Sequence, residues 1–264
     1  MTNRLVYIDV LKGFAIFLVV VGHVLQYCVK DSDVSYLYKA ITTFHMPLFA
    51  FLSGLMFSAK YDLKEMARKL VKQSQKLLVP FFSFGMIYAY TIRSGEHFMQ
   101  HPFKLGLWYL FFLWQCYMIT HLYNVLTYKF GLFRNNKFSM IVDVLWLVMS
   151  FAIFKLLYVH NVSGEEDFWG IIHLCKLYPF FFVGCVIKRY KLFEKCFSYK
   201  CKIYADISSL LWICLFVFSL YRYSSLSLMM LLGVFAVYPI VMLFYQNGGG
   251  KIFMEKNSGN VRTT

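Results

Sequence analysis

Val10-Leu11-Lys12-Gly13-Phe14-Ala15-Ile16-Phe17-Leu18-Val19-Val20-Val21-Gly22-His23 is the stretch that decides how this chain folds. The apolar run extends over 11–29, within the 17–25 residues that a helix needs to cross a bilayer. Asp9 and Lys12 precede it, His23 interrupts it, and no small-residue cleavage site follows, so it reads as a retained span and not a cleavable leader.

Outward from this helix the pattern repeats. Further apolar runs occupy 41–59, 77–92, 106–127, 139–158, 168–187, 203–221 and 225–245. The fold class expected is therefore all-α: a polytopic membrane bundle of about eight helices. It forms one transmembrane domain over 1–245, with a cytoplasmic tail at 246–264. Composition agrees, because 59% of the 264 residues are hydrophobic and only 15% charged, against roughly 25% charged in soluble domains. Disorder, a disulfide scaffold and an ordinary soluble enzyme are excluded. The seven cysteines form no CxxC pair and read as small hydrophobes, with no metal framework.

A formal charge of +14 would by itself suggest nucleic acid. Its distribution says otherwise. Lys and Arg collect in the cytoplasmic loops of membrane proteins. With the N-terminus cytoplasmic, twenty of the 27 basic residues fall on inside segments and five outside; Lys155 and Lys176 lie within spans. The acidic run Glu165-Glu166-Asp167 falls outside. The expected location is a bacterial cytoplasmic (inner) membrane, without nucleic acid as a partner.

Ionisable groups at membrane depth are costly, so each is a functional candidate. Lys12 and His23 are 11 residues apart, which at 100° per residue is about 20° past three turns, on one helix face and about 16 Å apart along the axis. Asp9 lies one turn before Lys12. His45, in Phe44-His45-Met46-Pro47-Leu48-Phe49, enters the second span near the depth of His23, with Ser53 and Gly54 deeper; Gly54 permits close helix approach. An imidazole takes and returns protons near neutral pH. His121 and His173 read as packing residues, and His97 and His101 as solvated. Lys60 to Lys76 reads as a basic cytoplasmic loop that meets anionic lipid or a phosphorylated ligand.

The motif Tyr7-Ile8-Asp9-Val10-Leu11-Lys12-Gly13-Phe14-Ala15 running to Val21-Gly22-His23, followed by Phe44-His45-Met46-Pro47-Leu48-Phe49-Ala50-Phe51-Leu52-Ser53-Gly54, resembles the acyltransferase 3 family of membrane O-acyltransferases, closest to its fucose 4-O-acetylase-like branch. Weaker similarity continues at Arg68 to Pro80, Leu107 to Leu110 and Tyr178 to Gly184. The resemblance places the family's basic residue and histidine on Lys12 and His23, with Lys where Arg is usual. A point-charge ammonium still meets a phosphate but loses the bidentate fork.

The resemblance implies an acyl-CoA donor, usually acetyl-CoA, arriving from the cytoplasm, and a sugar hydroxyl on a cell-surface glycan or its precursor as acceptor. Lys12, His23 and His45 are then the catalytic candidates. Lys12, Arg68, Lys69 and Lys72 are donor-binding, Asp9 and Ser53 orienting, and no metal is expected. His23 serves as general base or as a transient acyl carrier; the sequence leaves both open, and with them Asp31, Asp33 and Glu96 as its acidic partner. Family members usually have about ten spans, whereas here Glu255-Lys256-Asn257-Ser258-Gly259 is followed by five residues. This leads to the expectation of a truncated C-terminus and to an inactive remnant as one alternative. A transporter or flippase for a sugar or lipid-linked substrate is the other, although inverted repeats are not evident.

Overall fold

The computed structural model describes residues 6–29, 35–59, 62–92, 98–101, 103–132, 136–161, 166–197, 201–221 and 226–246. Arg4, Asp31, Asp33, Lys60, Glu96, His97 and the 255–259 turn lie outside the described residues.

Eight long helices fall where the eight apolar runs place them: α1 Val6–Cys28, α2 Tyr36–Met56, α3 Leu63–Ile92, α4 Trp108–Lys129, α5 Asn136–Asn161, α6 Ile171–Arg189, α8 Lys202–Tyr221 and α9 Leu226–Tyr245, with a single turn, α7 Phe193–Cys196, on the way. No strand occurs among the described residues. The protein is an all-α membrane helical bundle. Five helices (α1, α5, α6, α8 and α9) are long and apolar enough to cross a bilayer on length and composition alone. α2 and α4 carry more polar groups, and much of their surface is buried against protein instead of lipid. Pro47, Pro80, Pro179 and Pro239 sit inside helices, as membrane helices tolerate when neighbours re-satisfy the freed carbonyls.

The chain divides into two compact units, residues 1–55 with 183–264, and residues 56–182. In the first, α1 buries Ile8, Leu11, Ala15 and Leu18 on one stripe, spaced three and four apart as a single helix face requires. Phe14 meets Phe244 of α9 at 5.1 Å between ring centroids, and α8 runs against α9. α2 is held by Trp212 of α8, whose indole donates to Thr43 Oγ1 at 3.3 Å. It is held also by the backbone of α6: a Cβ on Gly184 would meet the Leu55 nitrogen at 2.9 Å, the Gly54 carbonyl carbon at 3.1 Å and, closer still, the Phe51 oxygen. The close approach expected at Gly54 is therefore made, and its counterpart is Gly184.

In the second unit α3 and α4 pack side by side. Trp114 donates its indole N–H to Ser74 Oγ at 2.9 Å, and Phe81, Phe98 and Phe111 form an aromatic core around Gly85. The third helix corrects the sequence reading. It begins at Leu63, so residues 63–76 are helix and not a basic loop. The signal was present. Asp62 precedes the first turn and accepts the Glu65 N–H at 3.1 Å, an N-cap of the kind Asp favours. Lys64, Arg68, Lys72 and Lys76 recur every four residues, which is helical spacing and not loop spacing.

Candidate functional site

On α1, Lys12 is half-buried and His23 exposed, on the flank of the buried stripe. At 1.5 Å per residue His23 lies about 8 Å from the outer end of α1, and Lys12 about 9 Å from the inner end. The His23 ring stacks over Tyr27 one turn on, centroids 5.9 Å apart and planes at 15°. Gly22 is the point where α1 meets α2: a Cβ there would touch Ile41 Cγ2 at 3.9 Å. Ile41 is also the residue whose carbonyl holds His45, with His45 Nδ1 at 2.8 Å from the oxygen.

That hydrogen bond makes Nδ1 the donor and leaves Nε2 as an acceptor. His23 follows Gly22 and His45 lies one turn after Ile41, so the two histidines stand either side of the contact between α1 and α2. Counted from the Gly22–Ile41 contact at 1.5 Å per residue, His45 lies about 6 Å inward on α2 and His23 about 1.5 Å outward on α1. Asp9 lies on α1 one turn before Lys12 and is half-buried, and Ser53 is half-buried on α2 two turns below His45.

The donor-binding candidates on α3 separate. Arg68 and Lys72 lie with Lys64 and Lys76 on an exposed stripe. Lys69 points away from them: its ammonium donates to the Ser58 carbonyl and lies 5.7 Å from the centroid of Phe57. The residues expected to act together as one patch are therefore split between two faces of one helix, because 100° per residue turns Lys69 off the stripe its neighbours share.

The family model described as an acyltransferase domain matches residues 5–256. The chain belongs to the acyltransferase 3 family. Two curated relatives align with it. The nodulation protein NolL of Mesorhizobium japonicum is 28% identical over 195 residues, 69% of this chain and 47% of that protein. NolL of Sinorhizobium fredii is 38% identical over 82 residues, 30% of this chain and 22% of that protein. The aligned part spans about half the length of the first relative and less of the second. No solved structure matches.

Within this acyltransferase fold the structure adds polar sites that the sequence reading passed over. Asp143, in the apolar run of α5, is buried and accepts the Tyr123 hydroxyl at 2.6 Å; a lone Asp in Ile141-Val142-Asp143-Val144-Leu145 was the signal. Lys104, one of the five basic residues that the charge pattern puts outside, is 0% exposed. Its ammonium donates to the carbonyls of Met99 at 2.6 Å, His101 at 3.1 Å and Asp167 at 2.5 Å. Burial pushes its pKa down to about 8, opposed by the Asp167 charge. The Asp167 carboxylate in turn caps α6, accepting the N–H groups of Ile171 at 2.8 Å and Ile172 at 2.9 Å. His121 on α4 is 0% exposed against Phe57, rings 4.6 Å apart, and neither nitrogen has a hydrogen-bond partner among the described residues.

Proposed function

We propose that this protein is a membrane-bound O-acetyltransferase that passes an acetyl group from cytoplasmic acetyl-CoA to a sugar hydroxyl of a cell-surface glycan or its precursor, in a bacterial inner membrane. The observation that supports the reading is the placement of Lys12 and His23 on one flank of α1, the helix that meets α2, the bearer of His45, at Gly22 and Ile41, in a chain of the acyltransferase family.

In this reading His23 removes the proton of the acceptor hydroxyl as its oxygen attacks the thioester carbonyl. The tetrahedral intermediate collapses with loss of the thiolate, which takes the proton back from the imidazolium. The exposed position of His23 suits a group that must meet two substrates. His45 and Ser53 orient the site, and Asp9 orients Lys12. Lys12 offers a charge to the donor's phosphates; Lys69, turned to Ser58 and Phe57, fixes the start of α3.

The test is His23→Ala in proteoliposomes supplied with acetyl-CoA and glycan acceptors. Transfer is expected to fall by at least 100-fold while the variant accumulates in membranes like the wild type. Undiminished transfer would refute the role of His23.

A further inference from the structure

α3 keeps one face uncovered along its whole length. Lys64, Arg68, Lys72 and Lys76 are exposed on its first half, and Val79, Phe82, Met86 and Tyr90 on its second. At 100° per residue these side chains stay within one arc of about 120°. The charge pattern puts the basic half at the cytoplasmic end. We propose that Lys64, Arg68, Lys72 and Lys76 bind the phosphate headgroups of anionic phospholipids in the cytoplasmic leaflet. This role is separate from acetyl transfer and stands or falls without it.

The apolar half of the face identifies what the basic half meets. An exposed apolar surface on a membrane helix is covered by lipid tails, which are as apolar as the side chains they touch. Tyr90, 88% exposed and two residues before the outer end at Ile92, stands where aromatic side chains sit at headgroup level. The basic stripe continues the same arc, so it points at the headgroups of the same lipids and not into the protein. The opposite face is already occupied. Ser74 accepts the Trp114 indole N–H at 2.9 Å, and Phe81 stacks on Phe111 at 5.3 Å. α3 cannot roll the stripe inward without breaking both contacts.

Depth agrees with this placement. The apolar stretch 77–92 holds 16 residues, about 24 Å of helix against a hydrocarbon core of about 30 Å. The deficit of about 6 Å is about four residues of rise, so a core that ends at Ile92 on the outer side begins near Gln73. Lys76 then lies just inside the core and reaches out along its methylene stem. Lys72 is at the core edge, and Arg68, about 6 Å beyond, lies in a headgroup layer about 5–8 Å deep. Lys64, about 12 Å beyond the edge, is within a Debye length of about 8 Å of that layer.

The charge on this face is also of the right sign and form. Glu65 is the one acid of α3. It stands four residues before Lys69, the favourable order for a pair along a helix, so the four cations of the stripe face lipid. Arg68 offers a planar fork to a phosphate, and the three lysines offer point charges.

The experiment titrates the full chain in neutral detergent with short-chain phosphatidylglycerol, and with phosphatidylcholine of equal chain length as the neutral probe. Bound lipid is counted by native mass spectrometry. Arg68→Gln with Lys72→Gln is expected to weaken phosphatidylglycerol binding about 30-fold, at about fivefold per charge, and to leave phosphatidylcholine unchanged. Lys129→Gln with Lys137→Gln removes two exposed charges from the same side of the membrane and is expected to leave both lipids bound as in the wild type. Changing Lys64, Lys72 and Lys76 to Arg keeps the charge and should keep the lipid. Phosphatidylglycerol binding that survives loss of Arg68 and Lys72, or that falls equally without Lys129 and Lys137, would overturn the proposal. So would displacement of the lipid by acetyl-CoA, which would assign the stripe to the donor's phosphates. A two-chain species lost in the Arg68 and Lys72 variant would overturn it in favour of a second copy of the chain.

Discussion

Replacing Gly184 by Ala is the sharpest structural test of how α2 is positioned. The new Cβ would sit 2.9 Å from the Leu55 nitrogen and 3.1 Å from the Gly54 carbonyl carbon, with the Phe51 oxygen nearer than either. All three are backbone atoms, so no side-chain rotation relieves the contact. Against an ordinary contact of about 3.4 Å the two helices must part by about half an ångström at Leu55 and by more at Phe51. Overpacking of this kind costs about 1–3 kcal/mol, and the upper part of the range applies because rigid backbone must move. α2 carries His45 and Ser53, and misplacement of a reacting geometry by about 1 Å can cost about 100-fold in rate.

The assay is thermal unfolding of the purified protein in detergent, with acetyl transfer measured below the transition. Gly13→Ala is the control: nothing lies within 4 Å of its Cβ, and Ala is favoured over Gly in a helix by about 1 kcal/mol. Gly184→Ala should therefore lower the unfolding temperature while Gly13→Ala raises it. A Gly184→Ala variant as stable as wild type would refute the close backbone contact and the placement of α2 derived from it.

His121→Leu should be neutral or stabilising, because it removes a buried imidazole with two unpaired nitrogens and replaces it with an apolar side chain that fits the Phe57 environment; a marked drop in unfolding temperature would show that the imidazole has a partner. Lys104→Met should destabilise the 98–107 turn at pH 7, since three carbonyls lose their donor. The folded pKa of Lys104 lies at about 8, below the ordinary 10.5, so between these values the unfolded chain binds more protons and stability rises with pH. The wild type should gain on the Met variant as pH is raised from 8 towards 10. A gap that shrinks over this window would mean that carbonyl coordination outweighs burial.

Much of the fold was legible because it depends on quantities that accumulate along the chain. Eight apolar runs of bilayer length and the sorting of basic residues between loops need no knowledge of which helix touches which. The positions of His23 along α1 and of His45 along α2 were legible for the same reason, since position along a helix is residue count times helical rise. The start of α3 was legible too, in the spacing of Lys64, Arg68, Lys72 and Lys76. Reading those residues as charge alone hid the period that makes them a helix face.

What the sequence alone determined is thus a multi-pass helical bundle and the positions of its ionisable groups along each helix. Tertiary structure decided which way those groups turn and what they meet. It set Gly184 against Gly54, Lys69 toward Phe57 and away from Arg68 and Lys72, Tyr123 on Asp143, and Lys104 into the carbonyls around Asp167. Each of these pairs residues on different helices or loops. The cost of leaving a buried charge or backbone contact unsatisfied is set by the neighbour that packing supplies, and no local pattern in the chain specifies that neighbour.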